Sequence, residues 1–80
     1  MNICHKGGLA DAVVRTLEQY FHDLDGERPT AIYDMVIKCA ERPMLQFVLD
    51  RANGNQSVAA QLLGINRNTL RRKLLDYDLL

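Results

Sequence analysis

Apolar side chains recur at intervals of three and four residues through the first third of the chain, which aligns them on one stripe of an α-helix. These positions are Leu9, Val13, Leu17, Phe21 and Leu24. Asp25 and Gly26 follow, and glycine supplies the left-handed backbone that a helix end favours. The pattern predicts a first helix over about residues 9 to 24.

A second helical pattern runs from about Thr30 to Ala52 and is interrupted by Pro43. Its apolar positions are Ile32, Met35, Val36, Cys39, Ala40, Met44, Phe47, Val48 and Ala52. A proline inside a helix lacks a donor and clashes with the preceding turn, so a kinked helix or two shorter helices would fit. Because the apolar phase continues across the proline, we expect one kinked helix.

A short helix over residues 56 to 63 is predicted next. Asn53-Gly54 ends the preceding helix, and the side chain of Asn55 can accept a hydrogen bond from the free amides of the new one. Gly64-Ile65 then makes a tight turn, and Asn66 is placed to cap a last helix from Arg67 to Asp76. We find no strand pattern, repeat or long linker.

The two short helices have the spacing of a helix-turn-helix. A small residue, Ala60, lets the helices touch, Gly64 four positions later permits the turn, and Leu70 six positions further on closes the core. The predicted core residues of this unit are Ala60, Gly64, Ile65, Leu70 and Leu74. A helical hairpin without DNA-binding function can share this spacing. The residues on the outer face of the last helix are therefore needed to distinguish the two.

Charge separates the last third of the chain from the rest. The net charge of the chain is zero, but residues 1 to 50 carry five basic and eight acidic side chains, and residues 51 to 80 carry five basic and two acidic ones. The start and outer face of the last helix hold Asn66, Arg67, Thr69, Arg71, Arg72 and Lys73. A helix of this kind fits the major groove of B-DNA, where Arg reads guanine and helix amides attract phosphate.

Other chemistry is not indicated. Two cysteines are too few for a disulfide scaffold, the first residues lack a signal peptide's apolar core, and no apolar run reaches about 20 residues. Cys39 is expected to be a small buried hydrophobic residue and His22 a surface residue. The acidic residues are spread along helix faces with no partner nucleophile, so we expect no enzyme, cofactor or metal site.

The stretch from Gly54-Asn55-Gln56-Ser57 through Gly64 to Leu74 resembles the Fis family, the factor for inversion stimulation. The likeness covers about residues 9 to 77. It implies an all-α fold in which two long helices form an interlocked homodimer core, followed by a C-terminal helix-turn-helix that bends DNA. The implied division is a flexible N-terminus over 1–8, dimerisation helices over 9–53 and a DNA-binding unit over 54–80.

The resemblance also assigns roles to residues. Asn66 and Arg67 would read bases, with Arg67 reading guanine. The residues expected at the DNA backbone are Asn55, Gln56, Ser57, Thr69, Arg71, Arg72 and Lys73. The resemblance also implies DNA sites with a narrow, compressible, A/T-rich centre. Such sites are recognised through the deformability of the DNA rather than through base contacts.

The function expected from this likeness is sequence-tolerant binding and bending of double-stranded DNA by a homodimer in the cytoplasmic nucleoid, for chromosome organisation and transcription regulation. No membrane or small-molecule partner is expected, and contact with RNA polymerase is left open. About eight residues precede the first helix, so a recombination-enhancer role is not expected. Two alternatives stay open. The chain could be a detached helix-turn-helix domain of an enhancer-binding activator, although Met1 and the pair of long helices argue against this. It could also be a helical protein-interaction dimer.

Overall fold

The computed structural model of the chain describes residues 3–5 and 7–80. These residues form four α-helices and no β-strand, which confirms the all-α prediction. The helices are α1 (Leu9–Leu24), α2 (Ile32–Arg51), α3 (Gln56–Leu63) and α4 (Arg67–Asp76). Three of the predicted ranges agree with the structure, and α2 begins two residues after its predicted start. Of the segment predicted as a flexible N-terminus, residues 1, 2 and 6 lie outside the described part.

The chain divides into two compact units, the first ending at Val36 and the second running from Ile37 to Leu80. In the first unit, Gly8 is the N-cap of α1. The amide of Leu9 donates to the carbonyl of Ile3 and the amide of Gly8 to that of His5, each at 2.9 Å. None of the side chains of α1 is fully buried within the chain.

Helix α1 ends at Leu24, as predicted, and Asp25 rather than Gly26 is its C-cap. Asp25 already has a left-handed backbone, with φ of 51°, and its amide donates to the carbonyl of His22 at 3.2 Å. Gly26 follows with φ of 89°. Aspartate is one of the few residues besides glycine that adopts this conformation at small cost, so the stop signal is shared by the two residues.

Helix α2 is one helix with Pro43 inside it, as expected, and not two shorter helices. Its buried face includes Val48 and Ala52 of the predicted stripe and adds Leu45 and Leu49, which were not predicted. Leu45 and Ala52 are buried and Val48 and Leu49 are half-buried, whereas Met44 and Phe47 are exposed within the single chain. Cys39 is also exposed, so the expectation that it is buried is wrong for the isolated chain.

The core of the second unit joins the last two turns of α2 to the short helices. Its fully buried members are Leu45, Ala52, Ala59, Ala60, Leu70 and Leu74. Around them pack the half-buried side chains of Val48, Leu49, Leu63, Ile65, Tyr77 and Leu79. The spacing of Leu45, Val48, Leu49 and Ala52 is again three and four, so α2 carries a second apolar stripe that the helix-turn-helix covers. This packing fixes α4 against α2.

Candidate nucleic-acid interface

The turn between α3 and α4 is built on Gly64. Its backbone is left-handed, with φ of 75°, and its amide donates to the carbonyls of Ala60 and Gln61 at 2.9 and 3.2 Å. The amide of Ile65 also donates to the Ala60 carbonyl, at 3.1 Å, which is the hydrogen-bond pattern of a glycine-terminated helix. Ala60 is buried at this point, so a small side chain and a permissive backbone together let α4 fold back across α3.

Both short helices are capped by asparagine, as predicted. The Asn55 side-chain oxygen accepts from the amide of Val58 at 3.1 Å, and that of Asn66 accepts from the amide of Asn68 at 2.7 Å. Neither helix has an acidic residue in its first turn. Since a helix N-terminus carries a partial positive charge, these two ends can receive phosphate without a competing carboxylate.

Asn66 has two possible roles, at the helix cap and at a base edge. Its Oδ1 accepts from the amide of Asn68 at 2.7 Å, and because an amide oxygen has two lone pairs, one acceptor position and the Nδ2 donors remain. Asn66 can therefore contact a base or a phosphate while it caps α4. Arg67, the next residue, is exposed and presents its whole guanidinium.

Three of the four predicted cations of α4 face solvent. Arg67, Arg71 and Arg72 are exposed, and none of them forms a salt bridge with another residue in the described part of the chain. Thr69 lies among them and is half-buried. A surface with three arginines and no carboxylate partner is unusual for a solvated helix face, which ordinarily mixes signs.

Lys73 is placed differently from the sequence prediction. It is half-buried, and its ammonium donates to Glu41 Oε2 of α2 at 2.8 Å, with 35% of the lysine side chain and 18% of the glutamate side chain exposed. The prediction placed Lys73 with the cations of the outer face because the sequence alone does not distinguish it from the other basic residues of this short helix. The structure directs this one toward α2.

Glu41 is the residue that the sequence analysis missed. Its other oxygen, Oε1, accepts from the hydroxyl of Tyr77 at 2.7 Å, so both oxygens bind side chains near the C-terminal end of α4. These hydrogen bonds hold the pKa of Glu41 below its ordinary value of 4.5, the bond from Lys73 contributing most and partial burial opposing it. The neighbouring Arg42 donates to the backbone carbonyl of Tyr77 at 2.8 Å.

The residues predicted to bind the DNA backbone from α3 lie at its start. Asn55 and Ser57 are exposed, whereas Gln56 is half-buried and its Oε1 is buried without a hydrogen-bond partner among the described residues. Arg51, an exposed cation in the last turn of α2, lies four residues before Asn55 and was not singled out from the sequence. Among the residues predicted to bind DNA, the exposed ones are therefore Asn55 and Ser57 at the start of α3 and Asn66, Arg67, Arg71 and Arg72 at the cap and on α4.

Neither a metal-binding cluster nor a membrane-spanning helix is present among the described residues. No group of three or more His, Cys, Asp or Glu side chains there could hold a metal ion. None of the four helices is both long enough and apolar enough to cross a membrane.

Comparison with known proteins agrees with this geometry. The sequence profile described as "Bacterial regulatory protein, Fis family" matches residues 37–77, which covers half of the chain and nearly all of its second unit. The chain belongs to the Fis family. The match begins within α2, at Ile37, and ends at Tyr77, so it includes the Glu41 contacts as well as the two short helices.

Individual Fis relatives extend the likeness into α1. A Fis-like DNA-binding protein of Ralstonia nicotianae is 55% identical over 65 residues, which cover 81% of this chain and 84% of the relative. A Fis-like DNA-binding protein of Neisseria meningitidis serogroup A is 47% identical over 72 residues, 90% of this chain and 91% of its own. The DNA-binding protein Fis of Actinobacillus succinogenes is 45% identical over 71 residues, 89% and 72% respectively.

Proposed function

We propose that this chain binds double-stranded DNA through its helix-turn-helix, with α4 in the major groove. The observation that carries the proposal is the exposure of three arginines of α4, Arg67, Arg71 and Arg72, which have no carboxylate partner among the described residues. The asparagine-capped starts of α3 and α4 add amides that can bind phosphate. The relatives named as DNA-binding proteins support the same assignment.

Base readout and backbone binding are divided within this surface. Arg67 lies at the N-terminal end of α4, the part of a recognition helix that reaches base edges, and reads guanine. Asn66 assists through its free amide group while it caps the helix. The groups that hold the DNA backbone are Asn55, Gln56, Ser57, Thr69, Arg71 and Arg72. Such contacts set affinity for all sequences and carry little discrimination.

The DNA-binding form is a homodimer joined by α1 and α2. Large apolar side chains of both helices are exposed in the single chain, among them Tyr33 at 80% and Phe47 at 69%. The others are Leu9, Val14, Phe21, Ile37 and Met44. A soluble monomer rarely exposes so many large apolar groups on two helices, and a second copy is the partner that a small chain always has available. Sedimentation analysis gives twice the mass of 9.1 kDa if this is correct.

A dimer presents two recognition helices to one DNA duplex, and the family likeness implies that their separation is shorter than a turn of straight DNA. The bound duplex is then bent, and sites whose centre deforms easily are preferred. A protein that bends many loosely related sites suits nucleoid organisation and regulation of transcription in the cytoplasm, which is the role we propose for the chain.

A fluorescence anisotropy titration tests the proposal. The duplexes carry guanines at both flanks and differ only in the centre, which is A/T-rich in one and G/C-rich in the other. Tight binding that favours the A/T-rich centre and weakens steeply with salt supports a bending dimer that clamps phosphates. Absence of binding to both duplexes at low salt would leave a helical protein-interaction dimer as the better description.

A further inference from the structure

The contact between α2 and α4 divides the cations of α4 into two groups. Arg67, Arg71 and Arg72 are exposed, whereas the ammonium of Lys73 donates to Glu41 at 2.8 Å. The ammonium has three N–H donors, but the carboxylate here already takes one of them in a short, charge-assisted hydrogen bond and offsets the positive charge that would attract a phosphate. Lys73 is therefore neutralised where its neighbours are not.

We propose that Glu41 is a positioning residue for DNA recognition, which holds the C-terminal half of α4 and keeps Lys73 out of the set of phosphate-binding cations. This inference rests on the proposed DNA binding and replaces the role that the sequence likeness gave to Lys73. Glu41 touches no DNA in this arrangement and acts through the helix that does.

Three separate contacts tie α2 to the same end of α4. Glu41 Oε2 accepts from Lys73, Glu41 Oε1 accepts from the Tyr77 hydroxyl at 2.7 Å, and Arg42 donates to the Tyr77 carbonyl at 2.8 Å. Tyr77 is the C-cap of α4, and its amide donates to the carbonyls of Leu75 and Lys73. A cation at the carbonyl end of a helix is also favourable to the helix dipole. One turn of α2 thus fixes the far end of α4, while Asn66 fixes its start.

Burial makes this arrangement different from a surface ion pair. Only 18% of the Glu41 side chain is exposed, and both of its oxygens are hydrogen-bonded. A carboxylate in that position keeps its partners, because releasing Lys73 would leave a partly desolvated charge with one hydrogen bond. Leu70 and Leu74 of α4 are buried in the core alongside, so the helix keeps its orientation and Lys73 could reach a phosphate only by moving its side chain away from Glu41.

The salt dependence of DNA binding separates a positioning role from a phosphate contact. Each phosphate contact adds about 0.9 to the slope of log affinity against log salt. In the full chain, Arg72→Gln therefore flattens the slope by about 0.9 for each arginine lost, whereas Lys73→Gln leaves it at the wild-type value. Glu41→Gln steepens the slope, because Lys73 becomes available to phosphate. Lys73→Arg, which keeps the pairing cation, retains wild-type affinity and slope.

A DNA-free measurement checks the pair itself. The melting temperature of the Glu41→Gln/Lys73→Gln double variant falls by less than the sum of the two single falls, because the second change removes a partner already lost. Additive falls would overturn the inference, and so would a slope flattened by Lys73→Gln as much as by Arg72→Gln. In both cases wild-type DNA binding is unaffected and the proposed function stands. If the wild-type chain binds no duplex at low salt, the proposed function fails and this inference fails with it.

Discussion

Glu41 and Lys73 are 32 residues apart in the sequence, yet their side chains meet at 2.8 Å and connect the long helix α2 to the recognition helix α4. Tyr77 completes the arrangement by donating to the second carboxylate oxygen at 2.7 Å. The C-terminal end of α4 is thus held from outside the two helices that form the helix-turn-helix, by an acidic residue of the segment that the sequence predicts only as a dimerisation helix.

The first prediction concerns pH. Because the folded chain holds the pKa of Glu41 below its ordinary value of 4.5, the ionised carboxylate stabilises the fold above that value, and this contribution disappears as the pH falls through the lowered pKa. Glu41→Gln should therefore lower the free energy of unfolding by about 1.5 to 3 kcal/mol at pH 7, the usual range for a hydrogen bond to a charged group. Thermal unfolding of the wild type and the variant, followed by circular dichroism between pH 3 and 7, measures this loss of stability.

The difference between wild type and Glu41→Gln should shrink as the pH drops below 4.5. Glu18→Gln, which changes an exposed carboxylate of α1, is the matched control and should leave the curve close to wild type. A constant difference between wild type and Glu41→Gln down to pH 3 would show that the charge of Glu41 is not what stabilises the contact.

The second prediction compares two adjacent leucines of α4. Leu74 has no exposed surface and lies in the core between α2 and the short helices, whereas 54% of Leu75 is exposed. Leu74→Ala should cost about 2 to 5 kcal/mol, from lost burial and the cavity left behind. Leu75→Ala should change the free energy of unfolding by less than about 0.5 kcal/mol. Urea unfolding of both variants at equal protein concentration tests this, and equal losses would contradict the assigned face of α4.

The third prediction concerns the cap of the recognition helix. Removing the oxygen that accepts from the amide of Asn68 by Asn66→Ala should destabilise the chain by about 0.5 to 2 kcal/mol and weaken DNA binding. Asn66→Asp keeps a capping oxygen but replaces the free amide donor with an acceptor. It should therefore retain the melting temperature and still lose DNA affinity. If Asn66→Ala melts like wild type, Asn66 does not act as the cap in solution.

The local signals of the sequence were sufficient for most of the backbone. The apolar periodicity predicted α1. The capping residues Asn55 and Asn66 predicted the starts of α3 and α4, and Gly64 predicted the turn between them. These features succeed because each depends on residues within one helical turn of one another. Caps and glycine stops are short-range interactions, and the sequence shows their members side by side.

What the sequence did not show depends on tertiary packing. Helix α2 has two apolar stripes, and the spacing of three and four that selected Met44 and Phe47 equally fits Leu45 and Leu49, which are the ones the helix-turn-helix covers. The sequence alone does not show which of the two stripes is buried within the chain. The different setting of Lys73 was missed for the same reason, since only the approach of α2 makes it differ from Arg72.

The fourth prediction concerns the backbone at the turn. A Cβ atom added to Gly64 would meet no atom within 4 Å, so any cost of Gly64→Ala comes from the left-handed φ of 75° alone. Such strain costs about 1 kcal/mol or more for a residue with a Cβ. Gly64→Asn, whose side chain tolerates this conformation better, should be less destabilising than Gly64→Ala. Thermal unfolding of the two variants decides, and a larger loss for asparagine would indicate a steric restriction rather than a conformational one.

The fifth prediction separates base reading from backbone binding on α4. Arg67 and Arg72 are both exposed arginines without a carboxylate partner among the described residues, so their loss should affect folding little. Arg67→Ala should cost about 1 to 3 kcal/mol at a preferred site and relax discrimination at one base pair, because a guanine contact is removed. Arg72→Ala should weaken binding to all sequences alike. Competition titrations with duplexes that vary the flanking guanine measure both effects, and an equal loss of discrimination in the two variants would refute the division between them.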